Sequence, residues 1–517
     1  MPVETELKLA IAPEGIARLT RHPLLRALRR GPARKSRLTS TYYDTEDLEL
    51  SRAGVTLRLR RDGRRWLQTV KGVAEEGAAG GMTARIEFEW PVAGERLDPL
   101  RFATTPFRRA LGKAEKRGLE PQFTTEIQRT TIPLAFADST MALLCIDTGE
   151  ARADVDGQIR RSPIREIELE LEAGDTIRLY EFAYALAADI PMALEPLTKA
   201  ARGFALRRPR VPEPLKAADA PLTSSATAAE GFAAIIRACL QQIEGNAGGV
   251  LTQDDPEWLH QMRIGVRRLR ACLALAARFM APTRVEPLRM ELRWLAHALG
   301  TARDCDVFTL ETLPAFTTAI GHGSGGGPLK SALRALAAQA AMRRSEARVA
   351  AREAVASARF LRLVLAASAL AAAPLTGGPD PTALAARARD VARPLLKRRH
   401  RALLALGTNL AHAAPETRHA ARLAAKKLRY ATEFFAPLFE RKRTRAYRRA
   451  LTVLQEELGA WTDAAVAAQL AGELAGAASP AAAAFSGWAA AQGLARSAAL
   501  DADWAAFARA VPFWSRN

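Results

Sequence analysis

Near the start of the chain, Glu4, Glu6 and Lys8 alternate with Val3, Thr5, Leu7 and Leu9. In a strand, residues two apart point the same way, so two carboxylates and an ammonium share one face. The pattern recurs. Arg58 and Arg60 oppose Leu57 and Leu59. Arg85, Glu87 and Glu89 oppose Ile86, Phe88 and Trp90. Glu166, Glu168 and Glu170 oppose Ile167, Leu169 and Leu171. On any one strand, charges in water are the ordinary arrangement of a half-exposed antiparallel sheet. Here they recur on at least four strands and their signs sort, acids on some and bases on others. A closed barrel with a polar lumen would bring the two sets face to face. Carboxylates hold hard divalent cations, while Arg and Lys hold phosphate oxygens. Such a lumen suits a metal–phosphate substrate, with metal neutralising charge and activating water at phosphorus.

The elements that must position these residues follow from periodicity. Up to about residue 208, period-2 segments recur: "ETELKLAI", "RLTSTYYD", "VTLRLRRD", "RWLQTVKG", "TARIEFEW", "FTTEIQRTTI", "MALLCIDTGEA", "ADVDGQIRRS" and "IREIELELEAG". "GDTIRLYEFAYALAAD" reads as helix, and Pro-rich "RRPRVPEPLKAADAPLTSS" as a linker. Beyond it the texture is Ala/Leu/Arg-rich with helical spacing, broken by "GHGSGGGP" and "APLTGGPDP", which read as loops. The prediction is an α+β, two-domain chain. An antiparallel β-barrel or tunnel with flanking helices spans 1–208, a linker 209–222, and an all-α domain of two helical-bundle repeats 223–517.

The 517 residues carry a formal charge of +20, unevenly spread. Residues 1–215 hold 35 Lys+Arg against 31 Asp+Glu, and residues 216–517 hold 40 against 24. The basic excess, and so the affinity for a polyanion, belongs to the second half. There is no G-x-x-x-x-G-K-[ST] run and no H-E-x-x-H, which argues against P-loop and zincin chemistry. His22 is expected at the surface near a helix start. Cys145, Cys239, Cys272 and Cys305 are scattered, consistent with a reducing cytoplasm. No apolar run approaches a membrane span.

The second half repeats itself. "HQMRIGVRRLR" (260–270) aligns with "HAARLAAKKLR" (419–429) at an offset of 159, and Leu299, Gly300, Asp304 and Val307 meet Leu458, Gly459, Asp463 and Val466 at that same offset. At about 100° per residue, His260, Arg263, Arg267 and Arg270 fall within an arc of about 80°. Met262, Val266, Leu269 and Leu273 form a separate apolar stripe. His419, Arg422, Lys426 and Arg429 repeat the basic stripe. One such stripe is ordinarily a solvated helix face; two at identical spacing point to a symmetric anion-binding surface. The pair Arg303 and Asp306 in "ARDCDVF" is not duplicated in "WTDAAVA", and His400 in "RHRALLALG" is a candidate addition to the basic surface.

The first 205 residues resemble the CYTH, or triphosphate tunnel metalloenzyme, superfamily. "VETELKLAI" is similar to its ExExK signature, and "YYDTEDLELSRAGVTLRLRR", "WLQTVKG", "RIEFEW", "EIQRTTI", "EIELEL" and "PLTKAARGFAL" follow in the family's order. The resemblance implies a tunnel that binds a triphosphate with Mg²⁺ or Mn²⁺ and cleaves a phosphoanhydride. It implies Glu4, Glu6, Glu168 and Glu170 as metal ligands, with Glu166 less firmly placed. It implies Lys8, Arg58, Arg60, Lys71, Arg129, Lys199 and Arg202 as phosphate-holding residues, and Glu87, Glu89 and Asp147 as tunnel acids with catalytic roles beside Glu4, Glu6 and Lys8. The second half resembles the CHAD domain, which implies binding of inorganic polyphosphate. Together they imply an inorganic triphosphatase whose second domain recruits polyphosphate. Removing 223–517 would then leave tripolyphosphate cleavage largely intact. Adenylate cyclase, thiamine triphosphatase and RNA triphosphatase of the same superfamily remain open, as does a non-catalytic polyphosphate-binding protein. Nucleic acid is a less fitting partner, since base-stacking aromatics are few, and the oligomeric state is not readable.

Overall fold

The computed structural model describes residues 3–73, 80–209, 211–320, 327–373, 380–407, 410–495 and 497–515. The chain divides into two compact units, Met1–Glu213 with Ser357–Ala373, and Pro214–Ala356 with Pro374–Asn517.

Among the described residues the first unit holds nine strands: β1 (Val3–Ile11), β2 (Arg34–Asp44), β3 (Val55–Asp62), β4 (Arg65–Val73), β5 (Met82–Val92), β6 (Glu120–Ala135), β7 (Met141–Val155), β8 (Gln158–Ala173) and β9 (Met192–Leu194). Their order is β5-β4-β3-β2-β6-β7-β8-β1-β9, and β1 also pairs with β5, which closes eight antiparallel strands into a barrel with β9 outside it. β1 is the closing strand. It places Glu4 opposite Arg85 on β5, and Glu6, Lys8 and Ala10 opposite Glu170, Glu168 and Glu166 on β8. The expected strand "ADVDGQIRRS" is instead a hairpin between β7 and β8. Asp156 and Gly157 turn the chain with φ of 55° and 79°, the left-handed pair a tight hairpin requires. The three-residue β9 is too short to carry a periodic signal.

Helices α1 (Pro13–Arg21), α2 (Pro23–Leu28), α3 (Glu49–Arg52), α4 (Arg108–Arg117), α5 (Ile177–Leu186) and α6 (Lys199–Arg207) accompany the barrel. Leu7, Leu9, Ile167 and Leu169 are fully buried in one apolar cluster with Leu19 of α1 and Leu179 of α5. Leu57 and Val70 lie in a second cluster with Leu50 of α3 and Leu111 of α4. Each buried Leu contributes roughly 1.5–3 kcal/mol. On β1, β3, β4 and β8 the apolar parity therefore faces helices, and the charged parity is left to the lumen. The turn into β3 is set by Asp44, whose buried carboxylate accepts from the backbone N–H groups of Thr45, Leu50 and Ser51.

The second unit holds α7 (Ala228–Thr252), α8 (Pro256–Ala276), α9 (Pro282–Val307), α10 (Leu313–Ala319) and α11 (Gly327–Ala356). The next helix, α12 (Ala358–Ala372), belongs to the first unit; α13 (Pro381–Ala385), α14 (Ala388–Leu404), α15 (Pro415–Phe435), α16 (Arg441–Ala475), α17 (Pro480–Ala495) and α18 (Ser497–Arg509) complete the second. The duplication is visible in the helices. α8 and α15 begin and end 159 residues apart, and α9 and α16 begin 159 apart. The apolar stripe of α8 is fully buried at Met262, Val266, Leu269 and Leu273. α12 departs from the expected limits, because a helix from within 223–517 packs on the barrel. The expected loop at "GHGSGGGP", with His322, and that at "APLTGGPDP" lie largely outside the described residues. Among those residues no single helix is long and apolar enough to cross a membrane.

Candidate active site

The barrel encloses a cavity of about 620 Å³. Its lining carries seven acids (Glu4, Glu6, Glu87, Glu89, Asp147, Glu168, Glu170) and seven bases (Lys8, Arg58, Arg60, Lys71, Arg85, Arg129, Lys199). Same-side parity on β1, β3, β4, β5, β6, β7 and β8 supplies all but Lys199, which α6 brings in at its first turn. Thr198 caps that helix, accepting from the Ala201 N–H at 3.0 Å. Gly203 lets α6 approach β6, since a Cβ there would stand 2.0 Å from the Phe123 ring.

The acids form two groups. Glu4, Glu6 and Glu170 bring carboxylate oxygens within 4.8 Å of one another, and so do Asp147, Glu166 and Glu168. The second group is gripped by two cations. The Lys199 ammonium reaches Asp147 at 2.8 Å, Glu166 at 2.5 Å and Glu168 at 2.7 Å. Arg129 grips Asp147 with two bonds, at 2.8 and 2.7 Å. Burial pushes the Glu168 carboxyl up, but Lys199 and Arg129 overwhelm it and hold the group well below the usual range. Burial pulls the Lys199 ammonium down, and Glu168, Asp147 and Glu166 drive it well above its ordinary value.

The first group is less compensated. Burial, only partly offset by Lys71, pushes the Glu4 carboxyl up to about 7, and Glu87 and Glu6 add to the rise. Burial likewise raises Glu170 against the pull of Arg129, which reaches it at 3.1 Å. The Thr83 hydroxyl donates to Glu6 at 3.1 Å. Three crowded carboxylates, two of which, Glu4 and Glu170, are raised by burial, are a donor set suited to a hard divalent cation. The metal set implied by the resemblance is thus divided: Glu4, Glu6 and Glu170 stand together, while Glu168 sits with the lysine-bound group.

The bases show the opposite deficit. Arg58 is 8% exposed, and among the described residues its Nε and Nη2, like the Arg60 Nε, have no hydrogen-bond acceptor. Glu87 lies 3.5 Å from Arg58 and 3.0 Å from Lys71, and Lys71 also bonds Glu4. A buried donor without a partner costs about 1–3 kcal/mol, which a phosphate oxygen in the cavity would recover. Lys8, 2% exposed, is depressed by burial, and its Nζ donates to the Leu197 carbonyl. Arg202 is not among the cavity-lining residues; Glu195 and Ser162 hold its guanidinium. Residues not singled out as site candidates include Arg85, readable from its parity with Glu87, and Tyr42, whose ring lines the cavity and stacks on Phe123.

In the helical unit, α8 and α15 bring Arg267, Arg270 and Lys426 into one groove of about 280 Å³. Arg289 and Arg293 of α9, Arg399 of α14, and Lys427 and Tyr430 of α15 line it as well. Arg263 pairs with Asp304 at 3.5 Å and Arg422 with Asp463 at 2.6 Å, one ion pair in each copy of the repeat. These two arginines, Arg429, His260 and His419 do not line the groove. The His260 Nδ1 is buried with no hydrogen-bond partner among the described residues, and its imidazole is depressed by burial and by Arg303. His400 does not join the basic surface; it bonds the Tyr447 hydroxyl at 2.8 Å amid Phe507 and Trp514. His22 caps α2, accepting from the Leu24 N–H.

Comparison with known proteins finds two domains, and the second match runs through α12. The CYTH domain matches residues 2–204, and the CHAD domain residues 234–472. An inorganic triphosphatase of Haemophilus influenzae is 29% identical over 206 residues, 39% of this chain and 54% of that protein. The chain thus spans about half the length of that curated relative. The solved CHAD domain of the plant Ricinus communis is 35% identical, covering 58% of this chain and 98% of that one, with a TM-score of 0.48. An adenylyl-cyclase-like protein from Hippeastrum, described as having a dominant triphosphatase activity, is 14% identical over 39% of this chain and 95% of that one, with a TM-score of 0.29. The chain thus carries a CYTH domain at 2–204 and a CHAD domain at 234–472.

Proposed function

We propose that this protein is a divalent-metal-dependent inorganic triphosphatase, cleaving a phosphoanhydride of tripolyphosphate, whose CHAD domain binds inorganic polyphosphate. One observation carries the catalytic half. A single cavity presents the under-compensated triad Glu4, Glu6 and Glu170 together with the buried, unpaired donors of Arg58. An anionic chain with its cation would satisfy both deficits. The activity of the Haemophilus influenzae relative supports the choice of substrate.

Glu4, Glu6 and Glu170 would hold Mg²⁺ or Mn²⁺. Bound there, the cation would offset phosphate charge and polarise the anhydride. Arg58, Arg60, Lys71, Arg129 and Lys8 would fix the phosphates in line, with Arg85 beside them. Lys199 would order Asp147, Glu166 and Glu168, and Arg129 through them, rather than meet phosphate first. Glu89, held by the Thr69 hydroxyl at 3.0 Å and only loosely by Arg60 at 3.9 Å, is the less engaged carboxylate of β5 and would take the proton from attacking water.

Turnover of tripolyphosphate, ATP, thiamine triphosphate and RNA 5′-triphosphate, each with Mg²⁺ and with Mn²⁺, tests the reading. Tripolyphosphate should be preferred; preference for a nucleotide would move the assignment to another activity of the superfamily. Glu4→Ala with Glu6→Ala should abolish turnover, and no turnover by the parent chain would leave a binding protein. The groove of Arg267, Arg270 and Lys426 supports polyphosphate binding, and the four free, buried cysteines favour a reducing cytoplasm.

A further inference from the structure

The chain leaves the helical unit after Ala356, gives α12 to the barrel unit, and returns at Pro374. Leu361 and Leu365 of α12 are buried in the same cluster as Leu7, Leu9, Leu179 and Met192. Arg362 lies 4.3 Å from the centre of the Tyr184 ring on α5. Ser368 of α12 is 2% exposed and packs at Gly80. A Cβ on Gly80, where φ is +70°, would stand 2.4 Å from the Ser368 Oγ, so the turn into β5 rests on this serine.

Besides its pairing with Glu168 on β8, Lys8 is held by that turn and by the segment that follows β9. The Lys8 N–H donates to the Gly81 carbonyl at 3.0 Å, and a Cβ on Gly81 would stand 2.6 Å from the Lys8 carbonyl. The Lys8 Nζ donates to the carbonyl of Leu197, three residues beyond β9, and α12 packs against β9. One helix therefore stands behind both the backbone anchor and the side-chain anchor of a cavity lysine. Among the described residues the buried Ser368 hydroxyl has no hydrogen-bond partner, and its contact with Gly80 is one of size.

We propose that α12 positions Lys8, with Ser368 acting through the Gly80–Gly81 turn and Leu365 through the cluster that holds β9. The CYTH domain of this chain is then complete only with a helix supplied from within its second half. Truncation at residue 222 removes a wall of the barrel unit along with the groove, and the expectation that it leaves cleavage intact no longer follows.

The test uses the full chain. Ser368→Val thrusts a branched side chain at Gly80, while Ser368→Ala keeps the space. Amide exchange at Lys8 should quicken by about tenfold in Ser368→Val relative to Leu57 on β3, and stay at the parent rate in Ser368→Ala. The kinetic arm rests on the triphosphatase reading: KM for tripolyphosphate should rise by roughly tenfold in Ser368→Val, with kcat within about threefold of the parent, and both should stay at the parent values in Ser368→Ala. If Ser368→Val does not fold, Leu365→Ala, with Leu365→Met as its conservative counterpart, carries the same expectation. Parental exchange at Lys8 in folded Ser368→Val or Leu365→Ala overturns the proposal. The expected exchange without tripolyphosphate turnover by the parent overturns the triphosphatase reading and leaves the positioning intact.

Discussion

Glu4 favours a proton up to about pH 7 because burial outweighs the attraction of Lys71. A cation bound to Glu4, Glu6 and Glu170 must displace that proton. Affinity for Mn²⁺ should therefore weaken as pH falls below about 7, by up to about tenfold per unit for one proton, and level off above it. Glu4→Gln should flatten this slope in a calorimetric titration. Glu170→Gln should lower kcat/KM for tripolyphosphate by on the order of 100-fold at an unchanged thermal midpoint. Parity made most cavity residues legible, because a strand's period is two whatever its neighbours are. It did not separate Glu168 from Glu170. That grouping depends on the stagger of β8 against β1 and on Lys199 arriving from a helix. Nor did it show Arg202 diverted to Glu195, a contact set by the path of the loop between β9 and α6.

At the scale of elements, α6 is held by a missing side chain. Gly203→Ala would place a methyl inside the Phe123 ring, so the helix must shift. A loss of about 1–3 kcal/mol in denaturant unfolding is expected, with weaker tripolyphosphate binding because Lys199 shifts too. In the groove, burial pulls the Lys426 ammonium of α15 down to about 7, helped by Arg267 and Arg263 of α8 and Arg422 of its own helix, and opposed by Asp463 of α16. A bound polyanion returns the proton. Polyphosphate binding should therefore take up protons and tighten as pH falls towards about 7, levelling below it. Calorimetry in buffers of different ionisation heat measures this, and Lys426→Met should remove it. The repeat was legible to the residue because duplicated helices keep their spacing. The hairpin at Asp156–Gly157 was not, since its flanks alternate like one strand. α12 was not either, because a short Ala/Leu-rich helix has the same pattern on a barrel as in a bundle.

The whole molecule places a nearly balanced barrel before a strongly basic helical stretch. Retention on polyphosphate should fall steeply with salt. Reversing Arg267 and Arg270 to Glu should reduce retention by tenfold or more while leaving tripolyphosphate turnover within twofold of the parent. Loss of turnover in that variant would mean that the groove feeds the tunnel. The excursion of α12 also gives the chain an unusual response to cutting. The backbone passes between the two units three times, after Glu213, Ala356 and Ala373. A protease nick in the linker severs one passage and leaves two, and the downstream fragment still has a helix buried in the upstream one. The nicked halves should co-elute under native conditions and part only in denaturant. The molecule is laced together rather than strung end to end.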